Sequence, residues 1–117
     1  MTEPKITEKT CDRLLVAVVQ AQDAEITESK IGHQAASTTR LPSIGAFLGR
    51  RNATLLIGVS HQLQSKIMDL LRENCRQRIE FIAVPLESAP MPLPAPTPIT
   101  VGGATVFSLE VEHFEEF

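Results

Sequence analysis

The sequence predicts an α+β fold: a ferredoxin-like β-α-β-β-α-β antiparallel sheet with two helices on one face and an extra C-terminal strand. Three observations carry that prediction. Leu14-Leu15-Val16-Ala17-Val18-Val19 is an unbroken apolar run of strand length, Asn52 to Val59 is a second run rich in strand-forming residues, and residues 60–75 repeat apolar side chains at helical spacing. Strands and helices alternate around these three in the order of a sheet covered by helices on one side.

The first strand runs from Leu14 to Val19, bounded by Asp12-Arg13 and Gln20. Residues 23–35 read as a helix, with Asp23 as N-cap, Glu25 and Glu28 in the early turns, and Ile26, Ile31 and Ala35 along one side. Ser37 to Leu41 is a short strand stopped by Pro42, and Asn52 to Val59 is a strong one. Between them lies a glycine-bearing loop, 43–51. In residues 60–75, Leu63, Ile67, Leu70 and Leu71 recur along one face, with Ser60 as the cap. Ile79, Phe81, Ile82 and Val84 mark a strand from Arg78 to Pro85. Pro90, Pro92, Pro94, Pro96 and Pro98 then make residues 88–98 an extended, polyproline-like loop. The last strand covers Ile99 to Val111. Strands one and three lack polar alternation, so the uncovered sheet face is expected to be apolar and closed by self-association as a cyclic homo-oligomer.

A chain of 117 residues with 43% hydrophobic and 21% charged residues is one globular domain with a modest core. We divide it into a polar extension, 1–12, and a folded domain, 13–117, with the proline-rich loop at 86–98. No window approaches the roughly 18 apolar residues of a membrane span, so no membrane insertion is expected. The N-terminus, MTEPKITEKTCDR, has no apolar signal core and reads as cytoplasmic. A formal net charge of −3 argues against duplex nucleic acid as a partner. Cys11 and Cys75 show no metal-binding spacing and are read as reduced thiols, Cys75 buried and Cys11 exposed.

No catalytic constellation appears, and no enzyme is expected. His33, His61 and His113 lie in unrelated segments without a nucleophile at motif spacing, and neither common phosphate-binding glycine motif occurs. Glu110 and Glu112 alternate with Leu109 and Val111 as the solvent face of a strand. The loop 43–51 is different. Gly45 permits a tight bend, Phe47 supplies an aromatic face, and Arg50-Arg51 precede the amide of Asn52, a set that suits a stacked purine but on pattern alone is more often a turn anchored by a hydrophobe.

Thr38-Thr39-Arg40-Leu41, Gly45-Ala46-Phe47-Leu48, Asn52-Ala53-Thr54, Ile57-Gly58-Val59 and the tail Val101–Phe107 (VGGATVF), closing with His113–Phe117 (HFEEF), resemble the cyclic-di-AMP receptor proteins of the PII-like superfamily. Val19-Gln20-Ala21-Gln22-Asp23 matches the end of that family's first strand, and the likeness runs from about Leu14 to Phe117. The resemblance implies a non-enzymatic homotrimer that binds a nucleotide second messenger between subunits and changes loop conformation on binding. It implies that Thr39, Asn52 and the backbone at Gly58 read an adenine edge, and that Gly45, Phe47 and Leu48 pack around the dinucleotide. Phe107 is a further candidate for the cleft lining, but as a strand residue it is expected in the core. The chain departs from the family where Ser37 replaces a common arginine, Ala46 a second loop glycine, and Glu116 a common glutamine; Ser37 and Glu116 both disfavour an anion.

Three functional expectations result. The first is a signalling trimer that binds an adenine nucleotide, with cyclic di-AMP the specific candidate, needs no cofactor, and passes the state to an effector protein. The second is a trimeric interaction module that has lost the ligand and keeps the proline-rich loop for partner contacts. The third is a metal-associated trimer using His33, His61 or His113.

Overall fold

The computed structural model describes residues 11–42, 51–84 and 95–117. The elements are β1 (Arg13–Gln20), α1 (Ala21–Ile31), β2 (Ser37–Pro42), β3 (Asn52–Val59), α2 (His61–Cys75), β4 (Arg78–Val84), β5 (Ala95–Val101) and β6 (Ala104–Glu110). Four strands form one antiparallel sheet in the order β2-β3-β1-β6, and β4 pairs with β5 in a separate two-stranded arm. The predicted ferredoxin-like α+β class is therefore present, with β6 rather than β4 completing the sheet beside β1.

Both central strands alternate in burial. Leu15, Ala17 and Val19 from β1 and Ala53, Leu55, Ile57 and Val59 from β3 point to the helices and pack on Ala24, Ile31, Ile67, Leu71 and Cys75. The opposite face carries Leu14, Val16, Val18 and Leu56 and, among the described residues, has no helix over it.

The first helix starts and ends earlier than the sequence suggests. It follows β1 directly, with Gln20 as an extended N-cap residue that makes no side-chain cap, and the Ala21 N–H donates to the Arg51 carbonyl at 2.9 Å. Asp23 is thus not the cap but a first-turn residue only 4% exposed. The inward stripe is Asp23, Ala24, Thr27 and Ile31, which leaves Ile26 52% exposed and Ala35 beyond the helix, where Gly32 ends it. The stripe differs because Ile26 and Ile31 are five positions apart, about 140° around the axis at roughly 100° per residue, so burying Ile31 turns Ile26 outward.

The second helix matches its expected span, with Ile67, Leu71 and Cys75 buried. Its cap is not the Ser60 side chain. Asp12 performs that task across the chain: Oδ1 accepts the His61 N–H at 2.7 Å and Oδ2 meets His61 Nδ1 at 2.7 Å. The helices meet where Thr27 Oγ1, which donates to the Asp23 carbonyl at 2.7 Å, lies 3.2 Å from Cys75 Sγ.

The expected last strand is two strands. Gly102 and Gly103 adopt φ of 84° and 102°, turning the chain from β5 back along β1. Residues 95–98, expected in the proline-rich loop, belong to β5; Pro96 and Pro98 are accommodated because the ribbon has only two strands and β5 is an edge. The rest of that loop lies outside the described residues. Pairing of β6 in this register sends Phe107 to the uncovered sheet face opposite Val16, where it is 55% exposed rather than core.

Candidate functional site

At one end of the sheet, β1 finishes where β3 and β6 begin. Gln20 stands opposite Asn52 in the β1–β3 register, and both line a groove of about 1100 Å³ that continues along the start of β6 and the last turn of α2. Arg72 and Arg76 contribute cations to its wall and Glu73 an anion; Arg72 is held by Asp69 at 2.9 Å. Gly102 and Gly103 expose backbone to the groove without a side chain in the way. The result is a largely apolar cleft with amide and cationic groups at its wall, suited to a flat heterocycle bearing negative charge.

The expected site residues fall into three groups. Asn52 lines the groove. Thr39 and Gly58 share its sheet face, because Thr39 pairs with Leu56 and Gly58 with Ser37 and Leu14, but they lie progressively farther along β3. Asn52 and Gly58 are six residues apart on one strand, roughly 20 Å. One subunit therefore places the three on a common face without gathering them in one cleft. Gly45, Phe47 and Leu48 lie outside the described residues.

That common face is the apolar one. Leu14, Val16, Val18, Leu41, Leu56, Phe107 and Leu109 share it by register, and Leu41, Phe107 and Leu109 are each about half exposed. Cys11 is not simply exposed, as its position in the extension suggests: its Sγ lies 2.9 Å from the point that a Cβ at Gly58 would occupy. Partial burial pushes the Cys11 thiol above its ordinary pKa. Burial acts in the same direction on Cys75.

The root of the β4–β5 arm is tied to the same end of the sheet. Gln20 Oε1 accepts the Gly102 N–H at 2.7 Å, and the Gly103 N–H donates to the Cys75 carbonyl. Arg78 at the start of β4 makes two hydrogen bonds to buried Asp23, Nη2 to Oδ1 at 2.8 Å and Nη1 to Oδ2 at 3.3 Å. Its Nη1 also donates to the Arg76 carbonyl at 3.1 Å and its Nε to Glu80 at 3.2 Å. The carboxylate of Asp23 first, then that of Glu80, raises the Arg78 pKa further above its ordinary value. Sequence reasoning misses Gln20 and the Asp23–Arg78 pair as parts of this region; by pattern alone Gln20 is only the end of an apolar run.

The three histidines do not converge. His61 is occupied by Asp12, His113 meets Glu115 at 2.9 Å, and His33 follows α1. Among the described residues no group of three or more His, Cys, Asp or Glu side chains gathers at metal-binding distance. No helix among the described residues is long and apolar enough to cross a membrane.

The family model described as cyclic-di-AMP receptor matches residues 12–117. The chain is also similar to a functionally unknown protein from Pediococcus pentosaceus ATCC 25745, known from a crystal structure. The two share 30% sequence identity and superpose with a TM-score of 0.72, over 92% of this chain and 99% of that one.

Proposed function

The chain belongs to the cyclic-di-AMP receptor family, and from that premise we propose that it is a PII-like signalling protein, not an enzyme. It binds an adenine nucleotide second messenger, cyclic di-AMP first among them, in clefts between the subunits of a cytoplasmic homotrimer and passes the bound state to an effector protein. The observation that supports this best is the shared face of Thr39, Asn52 and Gly58. They lie on the uncovered apolar side of the sheet with Phe107 and Leu109, so a partner copy that covers the face also closes the space around them. Covering Phe107 and Leu109 contributes on the order of 1 kcal/mol each at their present exposure. Thr39 and Asn52 supply the donor and acceptor pair that an adenine edge requires, and Gly58 borders the same face with the Cys11 thiol over its Cα.

Calorimetry with cyclic di-AMP, ATP, ADP and AMP tests the ligand. Binding of cyclic di-AMP that Asn52→Ala weakens about tenfold is the expected result, consistent with the loss of one or two hydrogen bonds. Absence of heat with all four nucleotides would sink the proposal. Light scattering tests the trimer.

A trimeric interaction module without a ligand is favoured by one observation. Ser37 pairs with Gly58 on the same sheet face, where the related pattern has an arginine, and brings no cation to the phosphates. Its mark is capture of a protein partner unchanged by nucleotide and by Asn52→Ala.

A further inference from the structure

We propose that Gln20 is both a contact for the nucleotide and the joint through which occupancy of the groove sets the β4–β5 arm; this rests on the nucleotide-binding proposal above. Gln20 touches the groove and the arm root at once. In the β1–β3 register it stands opposite Asn52, on the same face and with it lining the groove. Its Oε1 accepts the Gly102 N–H at 2.7 Å, at the turn where the arm joins the sheet.

The hinge fixes which way the carboxamide faces. A backbone N–H can only donate, so it requires the oxygen of Gln20 and leaves the amide nitrogen on the other side. Among the described residues the Nε2 donors have no protein partner. They are available to an acceptor in the groove, and adenine ring nitrogens are acceptors of that kind. Asn52 adds a second carboxamide beside them, so the pair can address the donor and acceptor atoms of one base edge together.

Gly102 has little freedom to move independently. Its φ is 84°, and the position a Cβ would take is already crowded by the Arg76 carbonyl and the Arg78 guanidinium. Arg78 is in turn fastened to Asp23, three residues after Gln20. An occupant that accepts from Nε2 polarises the amide and strengthens its Oε1 as an acceptor, which holds Gly102 and the arm root more firmly. By linkage, an arm root held in this geometry favours the occupant by the same factor.

Three chains decide this: wild type, Gln20→Glu, which keeps an acceptor for Gly102 but has no N–H donors, and Gln20→Met, which has neither. Each is studied by calorimetry with cyclic di-AMP and by hydrogen exchange of residues 76–80 and 100–103, with and without saturating ligand. In wild type, ligand is expected to slow exchange at the arm root at least threefold. Gln20→Met is expected to bind about tenfold more weakly and, without ligand, to exchange faster at the root. Gln20→Glu is expected to bind weakly while keeping wild-type exchange in the free protein. A Gln20→Met chain that binds within twofold of wild type, or whose ligand-free exchange is unchanged, overturns the assignment. So does a saturated wild type with no change at the root. A wild type that binds no nucleotide sinks the nucleotide-binding proposal and the contact role with it, and the ligand-free comparison still decides whether Gln20 is the joint.

Discussion

Asp23 and Arg78 are 55 residues apart in sequence, yet the carboxylate in the first turn of α1 holds the guanidinium at the root of the arm through two hydrogen bonds. Asp23 is almost fully buried and Arg78 partly so. Arg78→Ala therefore strands a buried charge, and we expect it to cost about 2–4 kcal/mol by urea denaturation, more than the paired Asp23→Asn, Arg78→Gln change costs. Equal losses in the single and paired variants would show that a stranded Asp23 carboxylate is not the source of the cost.

The two hinge glycines should differ in their tolerance of a side chain. At Gly102 an added Cβ collides with the Arg76 carbonyl and the backbone is left-handed, whereas at Gly103 the φ is also positive but the space is open. Gly103→Ala is expected to cost about 1 kcal/mol from backbone conformation alone. Gly102→Ala should cost clearly more, about 2–4 kcal/mol, because rigid backbone must shift as well. Thermal melts of the two variants, compared at one temperature, check the order.

The Asp12–His61 contact gives the stability of the chain a defined acid dependence. Hydrogen bonding from the His61 side chain, above all, holds the Asp12 carboxyl below its ordinary value. A carboxylate whose pKa is lower in the folded state stabilises it fully above the unfolded value, about 3.9, and the benefit is lost as pH falls through the folded value. The denaturation midpoint of wild type should thus drop on going from pH 6 to pH 3, and Asp12→Ala should flatten part of that drop. Parallel curves for the two chains would exclude the contribution.

Thr38 Oγ1 is buried on the helix side of β2 and has no hydrogen-bond partner among the described residues. Replacing the hydroxyl by a methyl group of similar shape removes an unsatisfied polar atom. Thr38→Val should stabilise the fold by about 1 kcal/mol, read from the urea midpoint. A destabilised variant would mean that the hydroxyl is satisfied in solution.

Phe107 tests the uncovered face. Its ring is half exposed opposite Val16 in a region continuous with Leu109. Phe107→Glu should shift the proposed trimer to monomer in light scattering, with the monomer still folded by circular dichroism. An unchanged mass would place the subunit contact elsewhere.

The strongest local patterns are legible in the amino-acid sequence. The runs 14–19 and 52–59 and the spacing of Leu63, Ile67, Leu70 and Leu71 locate β1, β3 and α2 because each pattern reflects burial, complete at Ile67 and Leu71 and partial at Leu63 and Leu70. The start of α1 is not legible, since Gln20-Ala21 changes from strand to helix without a capping side chain and Asp23 imitates one. The division of the last strand depends on which neighbour each half pairs with, β4 or β1, and local propensity is the same for both. In the candidate site, the chemistry of Asn52 and Thr39 is visible in the residues themselves, but their sharing of one face follows from register. Gln20 and the Asp23–Arg78 pair join segments so far apart that no local window contains both partners.

The completion of the sheet by β6 also bears on synthesis. Arg13, at the start of β1, pairs with Glu110 at the end of β6, across nearly the whole chain. As the polypeptide leaves the ribosome, β1, β3 and both helices emerge well before the strand that covers the remaining edge of β1. Until Glu110 appears, that apolar edge is open to pairing with another nascent copy. A truncation before Ala104 would make this exposure permanent, whereas one beyond Glu110 would leave the released chain able to close its sheet.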